Sequence, residues 1–143
     1  MNDPYHLQRF IEAQDSCFAQ VRSELAAGKK RSHWMWFVFP QITGLGSSPM
    51  AQLYAISGLD EAKAYLTHPV LGDRLRDCTA LVNAVEGRAI GEIFDYPDDL
   101  KFRSSVTLFA WAASDQPGNQ VFSEALAKYF DGVPDQATLD QLL

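Results

Sequence analysis

A short aromatic segment holds the side chains best suited to contact a small ligand. It runs from His33 to Phe39 and places four aromatic rings and a histidine within seven residues. Tryptophan offers a large flat apolar face and an N–H that needs a partner. An imidazole can donate to a ligand oxygen or act as an acid or base near neutral pH. We therefore expect His33, Trp34 and Trp36 to line a pocket. The structural alternative is a buried imidazole bonded to a backbone carbonyl, among rings that form the core.

A loop with two glycines follows directly and is the second candidate. It begins at Gln41, whose amide can contact a ligand, and contains Gly44 and Gly46. Glycines allow backbone N–H groups to approach a ligand closely, and a helix N-terminus attracts anions. Ser48 and Pro49 have the residue types of an N-cap and a first helical position. The alternative is a tight loop that leads into a capped helix. The dinucleotide-binding fingerprint is excluded, because no strand precedes the loop and its third glycine is missing.

A polar stripe on an otherwise apolar helix is the third candidate. It consists of Lys101, Ser104, Ser105 and Thr107. Lys101 and Ser105 are one turn apart, as are Ser104 and Thr107, so each pair shares a helix face. Buried hydroxyls need hydrogen-bond partners, and a ligand is one possible source. The alternative is that the hydroxyls bond to carbonyls of the preceding turn and allow close helix packing.

The aromatic segment and the polar stripe complement each other. One offers rings and an amide, and the other offers a cation and hydroxyls, while polar groups in apolar surroundings need partners. We therefore expect the two segments to face one cavity, lined by His33, Trp36 and Gln41 from one side and by Lys101, Ser104 or Thr107 from the other.

These residues favour a domain that binds a small polar or phosphorylated metabolite, either as a binding protein or as an enzyme that acts on it. No nucleophile elbow, P-loop or paired catalytic carboxylates are present, so the sequence assigns no catalytic residue. The alternative is a noncatalytic protein-interaction module in which the tryptophan-rich segment is structural core. Oligomeric state and reaction type stay open.

Charge and histidine spacing exclude several partners. Twelve basic and eighteen acidic residues give a formal net charge of −6, and an acidic surface repels nucleic acid. His6, His33 and His68 are isolated, without the spacing of a zinc-binding helix, and neither Cys17 nor Cys78 is placed to complete a metal site. We expect no metal, no cofactor and no nucleic-acid partner.

The cysteines and apolar runs also indicate a compartment. Two isolated cysteines without a secretory signal are typical of a reducing cytoplasm. The longest apolar run, Trp34–Phe39, is too short to span a bilayer, so we expect no membrane association.

Periodicity predicts helices almost throughout. Apolar residues recur at three- and four-residue steps, in one long stripe from Leu7 to Leu25 and again in several later segments. Only Trp34–Phe39 has the character of a strand, and a lone strand has no partner. We therefore expect an all-α fold, a single domain over residues 1–143, built as a compact bundle of about six to eight helices. A small α+β domain is the alternative.

The chain also resembles a known family along nearly its whole length. The segments that carry the resemblance are Ser32–Ile42 with Gly44–Gly46, Tyr54–Ile56, His68–Leu75, and Asp98–Phe109. They resemble an uncharacterised bacterial family, DUF1810, which implies one mainly helical domain and carries no agreed activity. Some members bear the label calpastatin, but that inhibitor class is disordered, whereas this composition predicts a packed core.

One turn departs from the family pattern. Members often have glycine before the Pro-Asp step, where this chain has Asp95-Tyr96-Pro97. A bulkier turn here predicts altered access to the start of the helix that carries Lys101.

Overall fold

The architecture of this computed structural model, which describes residues 3–113 and 117–142, is all-α. Within those residues there are ten helices, seven of them with seven or more residues, and no strand. They are α1 Gln8–Asp15, α2 Phe18–Ala26, α3 Met35–Val38, α4 Pro49–Leu53, α5 Leu59–Thr67, α6 Leu71–Asn83, α7 Ile90–Ile93, α8 Asp98–Ala112, α9 Gln120–Tyr129 and α10 Gln136–Leu142. The all-α prediction is confirmed. The number exceeds six to eight because the stripe from Leu7 to Leu25 forms two helices, α1 and α2, and because the aromatic segment forms the single-turn helix α3.

Helix α8 is the centre of the fold. It packs against α5, α7, α9 and α10, and α6 packs against both α5 and α9. Phe102, Leu108 and Phe109 of α8 are completely buried. A helix that is apolar on nearly every face is largely enclosed, and in the second half of α8 only Trp111 is exposed, at 50%. The helix starts after Pro97, and Asp98 and Asp99 occupy the first turn, where the helix dipole favours negative charge.

The predicted first stripe is divided into two helices. Between α1 and α2 the chain departs from helical geometry at Cys17, whose φ is −142°. Gln14, which interrupts the apolar stripe, is nevertheless buried. Its Nε2 donates to the carbonyl of Phe37 at 2.7 Å and to the hydroxyl of Tyr65 at 3.1 Å. This buried amide therefore links α1 to α3 and α5, which periodicity alone does not reveal.

The segment that most resembled a strand forms helix α3. Its backbone closes on itself, because the N–H groups of Val38 and Phe39 donate to the carbonyls of Trp34 and Met35. Strand-like pairing occurs elsewhere, as an isolated parallel bridge between Ile42 and Ile56. A strand needs a neighbour for its backbone groups, and α3 satisfies them locally instead. The α+β alternative is thereby removed for the described residues.

A buried carboxylate organises the segment before α3. Glu24 is 3% exposed and accepts hydrogen bonds from the backbone N–H groups of Arg31 and Ser32 at 2.7 and 3.0 Å. It also accepts from the Ser32 hydroxyl, from Gln20 and from the Trp34 indole N–H. Burial alone raises the pKa of Glu24, but these hydrogen bonds outweigh it and lower the pKa from 4.5 to about 2. The charged side chain thus fixes the approach to the aromatic segment.

None of the helices in the described ranges is long and apolar enough to cross a membrane.

Candidate ligand-binding site

An open cavity of about 890 Å³ lies between the aromatic segment and the start of α8. One side consists of α3, the loop that follows it and α4. The other side consists of the first turns of α8 and the start of α10. Ligand pockets for small molecules fall in the range of roughly 300–1,000 Å³, so the volume suits a metabolite.

Helix α3 places one tryptophan in the cavity wall and the other in the core. Met35, Phe37 and Val38 are buried, whereas Trp36 is half-buried and borders the cavity. Trp34 is 1% exposed, and its ring packs against Phe39 and Phe94. Two tryptophans two positions apart point in different directions around a helical turn, so only one can face the opening.

Two short backbone bonds hold the glycine loop in place. The N–H of Ile56 donates to the carbonyl of Gln41, and the N–H of Thr43 donates to the carbonyl of Ile56, both at 2.8 Å. Gln41, Gly44 and Gly46 border the cavity. The Gln41 amide side chain makes no hydrogen bond within the described ranges, so its donors and acceptor remain available.

Packing explains both glycines of this loop. Gly44 has φ +94°, and a Cβ there would come within 3.1 Å of the Gln141 side chain. A Cβ on Gly46 would lie 2.7 Å from that of Ala51. The Ser48 side chain accepts from the N–H of Ala51, which confirms the predicted cap. Helix α4 has five residues, too few to contribute an anion site, so this part of the loop fits the structural alternative.

An arginine from α1 fixes the far wall. Arg9 donates to the carbonyls of Leu53 and Ala55 at 2.9 and 3.0 Å, and its guanidinium pairs with Glu61 at 3.0 Å. Tyr54, between the two carbonyls, borders the cavity and packs against the Phe37 ring at 5.4 Å. The sequence did not indicate this role, because the partners of Arg9 lie far along the chain.

The cation of the cavity is Lys101. Its Nζ lies 5.5 Å from the centre of the Trp36 ring, within the range of a cation–π contact. The closest carboxylate oxygen is Oδ1 of Asp98, at 3.7 Å. The other oxygen of Asp98 pairs with Lys30 at 2.8 Å. Asp98 therefore pairs with two lysines and compensates the charge of Lys101 only in part.

Ser104 reaches a carboxylate that the sequence did not single out as a site residue. Its hydroxyl lies 3.1 Å from the carbonyl of Leu100 and 2.9 Å from Oδ2 of Asp135, and both Ser104 and Asp135 border the cavity. The same Oδ2 accepts from the N–H and hydroxyl of Thr138 at 3.1 and 2.6 Å. Asp135 directly precedes α10, and an aspartate at the start of a helix gives by itself no sign of a neighbouring cavity.

Two of the predicted site residues in the aromatic segment lie outside the cavity. His33 is exposed at the surface, so it is neither a pocket residue here nor a core imidazole. Trp34 is enclosed, and its indole N–H donates to Glu24 at 2.9 Å. The hydrogen bond to the buried carboxylate of Glu24 holds the Trp34 ring in the core, whereas the preceding imidazole of His33 lies in solvent.

The two remaining hydroxyls are buried inside the helix packing. Ser105 is completely buried, and its Oγ has no hydrogen-bond partner in the described structure. Thr107 is also completely buried, donates to the carbonyl of Arg103 at 2.8 Å and accepts from the N–H of Asp135 at 2.9 Å. Thr107 thus follows the back-bonding alternative and also anchors the start of α10, whereas neither side chain borders the cavity.

The structure therefore brings together part of the predicted set. Residues of that set that border the cavity are Trp36, Gln41, Gly44, Gly46, Lys101 and Ser104. The turn that departs from the family pattern lies at the rim, since Pro97 borders the cavity and Tyr96 is 79% exposed. The Tyr96 ring faces solvent and does not fill the opening.

One family model matches nearly the whole chain. The model of a family described as "Protein of unknown function (DUF1810)" matches residues 4–142. The chain belongs to this family. Among solved structures, the chain is similar to the conserved hypothetical protein Rv1873 from Mycobacterium tuberculosis, which is 56% identical and has a TM-score of 0.94 over 98% of each chain. No curated protein matches the chain.

Proposed function

We propose that this DUF1810 protein binds a small anionic metabolite in the cavity that Trp36 and Lys101 border side by side. One observation carries the proposal: an ammonium group stands beside an aromatic wall of an open cavity, and its nearest carboxylate is already engaged by a second lysine. The proposal concerns binding and assigns no reaction.

The charge arrangement favours an anion next to Lys101. Asp98 is only 20% exposed and holds Lys30 at 2.8 Å, compared with 3.7 Å for Lys101. A carboxylate in close contact with one cation compensates a second, more distant cation weakly. An incoming phosphate or carboxylate would complete the pairing, and a partly enclosed site strengthens this attraction relative to bulk water.

The apolar walls favour a ligand that also has a flat or hydrophobic part. Trp36 and Tyr54 are half-buried aromatic residues that border the cavity, and Leu100 is 48% exposed at its rim. Binding sites combine such surfaces with a few polar groups that fix orientation. Here the polar groups include Gln41, Lys101, Ser104 and Asp135.

The proposal includes a cytoplasmic location and no nucleic-acid or membrane partner. The two cysteines, Cys17 and Cys78, are free thiols, which is usual in a reducing compartment. The net charge of −6 disfavours a polyanionic partner, whereas a single small anion needs only one local cation.

A thermal-shift screen tests the proposal. A ligand that binds the native state raises the melting temperature, so nucleotides, sugar phosphates and amino acids are screened at millimolar concentration. We expect a stabilising hit that Lys101→Met removes, because methionine keeps the apolar stem and loses the charge. Lys63→Met, at an exposed position of α5, is the matched control and should retain the hit.

Two outcomes would contradict the proposal. The first is the absence of any hit among anionic compounds, which would instead favour the protein-interaction module. The second is a hit that Lys101→Met and Lys63→Met weaken equally, since that would show a general charge effect.

A further inference from the structure

The cavity contains a fixed carboxylate in addition to its cation. Asp135 is held from three sides, because its Oδ2 accepts from Ser104 and twice from Thr138 and its backbone N–H donates to Thr107. These contacts join α8 to α10, so the position of the carboxylate does not depend on a flexible side chain. A group fixed in this way is suited to orient a ligand.

The second oxygen of this carboxylate is available to a ligand. All hydrogen bonds to the Asp135 side chain within the described structure reach Oδ2, and none reaches Oδ1. A carboxylate oxygen only accepts hydrogen bonds, so its complement is a hydroxyl or amino group. A ligand that complements the cavity therefore has a hydrogen-bond donor near Asp135 and an anionic group near Lys101.

The two residues that set these requirements, Lys101 and Asp135, lie close together on one surface of the cavity. Lys101 and Ser104 are one turn apart on α8, so their side chains are neighbours, and Ser104 is in contact with Asp135. No ion pair joins Lys101 to Asp135 in the described structure, whose nearest acidic partner for this lysine is Asp98. A ligand that bridges them must have its anionic group and its donors a few bonds apart.

The rest of the cavity lining suits a flat ligand group with polar edges. Trp36 borders the cavity with an aromatic ring, and the Gln41 amide offers both a donor and an acceptor to the edge of a heterocycle. We infer that the ligand is a nucleoside monophosphate, with its phosphate at Lys101, its sugar hydroxyls at Asp135 and its base between Trp36 and Gln41. This inference rests on the proposed anion site.

An aromatic amino acid is the closest competing class. Its carboxylate and ammonium would also satisfy Lys101 and Asp135. It would fill little of an 890 Å³ cavity, however, and most aromatic side chains offer no donor–acceptor edge to Gln41. Volume and the free amide therefore favour the nucleotide.

Isothermal titration of the wild-type chain provides the first test. The probes are AMP, GMP, CMP and UMP, the matching nucleosides, and the 2′,3′-dideoxynucleoside monophosphates. We expect at least one ribonucleotide to bind and its dideoxy form to bind about tenfold more weakly, because a hydrogen bond to a charged group is lost. This comparison needs no variant and is independent of any folding defect.

Variants of Asp135 and Lys101 then test which residue binds which end of the ligand. Asp135→Asn should weaken the ribonucleotide about tenfold and leave the dideoxy form unchanged, since asparagine keeps an acceptor for Ser104 and Thr138. Lys101→Met should reduce the nucleotide to the affinity of its nucleoside. Asp140→Asn, at an exposed position of α10, is the matched control and should bind as the wild type does.

The outcomes separate this inference from the proposed function. Equal binding of ribo- and dideoxynucleotides, or an Asp135→Asn loss that affects both equally, would overturn the assignment of the hydroxyls. Lys101-dependent binding of other phosphates or of aromatic amino acids, with no nucleotide bound, would overturn the nucleotide and leave the anion site standing. No binding of any anion would overturn both.

Discussion

The ammonium of Lys101 lies 5.5 Å from the centre of the Trp36 ring, which joins the start of α8 to the single turn of α3. The same lysine is 3.7 Å from Asp98, whose other oxygen binds Lys30 at 2.8 Å. This arrangement of two lysines around one carboxylate leaves the cavity with a partly compensated cation.

The Lys30–Asp98 pair should stabilise the fold more than an exposed ion pair does. Both side chains are mostly buried, at 9% and 20% exposure, so Lys30→Met leaves Asp98 with a longer contact to Lys101. We expect a loss of about 1–3 kcal/mol in unfolding free energy, measured by urea denaturation. The exposed pair of Arg22 and Asp77 is the control, and Arg22→Met should cost less than about 1 kcal/mol. Similar losses for both pairs would show that Lys30 has no special role.

The buried carboxylate of Glu24 should make stability depend on pH. The pKa of Glu24 is lowered from 4.5 to about 2 in the folded protein. A depressed pKa contributes stability that is fully present above pH 4.5 and is lost as the pH falls toward 2. The unfolding free energy of Glu24→Gln should therefore be about 2 kcal/mol lower than that of the wild type at pH 7, with a smaller difference at pH 3.

Urea denaturation of both proteins at several pH values measures this difference. Titration of the other acidic groups occurs in both chains and cancels in the comparison. A gap that stays constant from pH 7 to pH 3 would contradict the prediction, since it would mean that the charge of Glu24 does not matter.

The two tryptophans of the aromatic segment should respond differently to the same substitution. Trp34→Phe removes ring volume from the core and the donor to Glu24, and we expect a loss of about 2 kcal/mol or more. Trp36→Phe changes a half-buried cavity wall and should cost less than about 1 kcal/mol. The measurements are denaturation curves and tryptophan emission spectra. The exposed Trp111 emits in both variants, and only the Trp36→Phe chain also keeps the emission of the enclosed Trp34. Equal costs would refute the assignment of the two rings.

The glycine loop should tolerate no added methyl group at Gly46. A Cβ there would lie 2.7 Å from the Cβ of Ala51, so Gly46→Ala must displace the loop or α4. We expect a loss of about 1–3 kcal/mol in unfolding free energy. Gly91→Ala is the matched control in α7, where nothing lies within 4 Å of an added Cβ, and it should be neutral or stabilise the fold by up to about 1 kcal/mol. A stable Gly46→Ala chain would show that the loop can move away at little cost.

Local signals in the sequence determined most of the helical framework. Ser48 caps α4, Pro97 precedes α8, and His68 ends α5 before Pro69, each as its residue type predicts. These features depend on residues within one turn of each other, so their physical chemistry is contained in a short stretch of chain. The apolar character of α8 likewise indicated that it would be buried before any partner was known.

The tertiary structure alone decided which polar residues meet at the cavity. The sequence pattern does not distinguish Trp34 from Trp36. In the fold, only the Trp34 indole donates to the buried carboxylate of Glu24, which belongs to α2, and only this ring lies in the core. Asp135 has the sequence signal of a helix start, and it borders the cavity because α10 packs against Ser104 of α8. Contacts between distant segments depend on how whole helix faces fit together, and no local pattern encodes that fit.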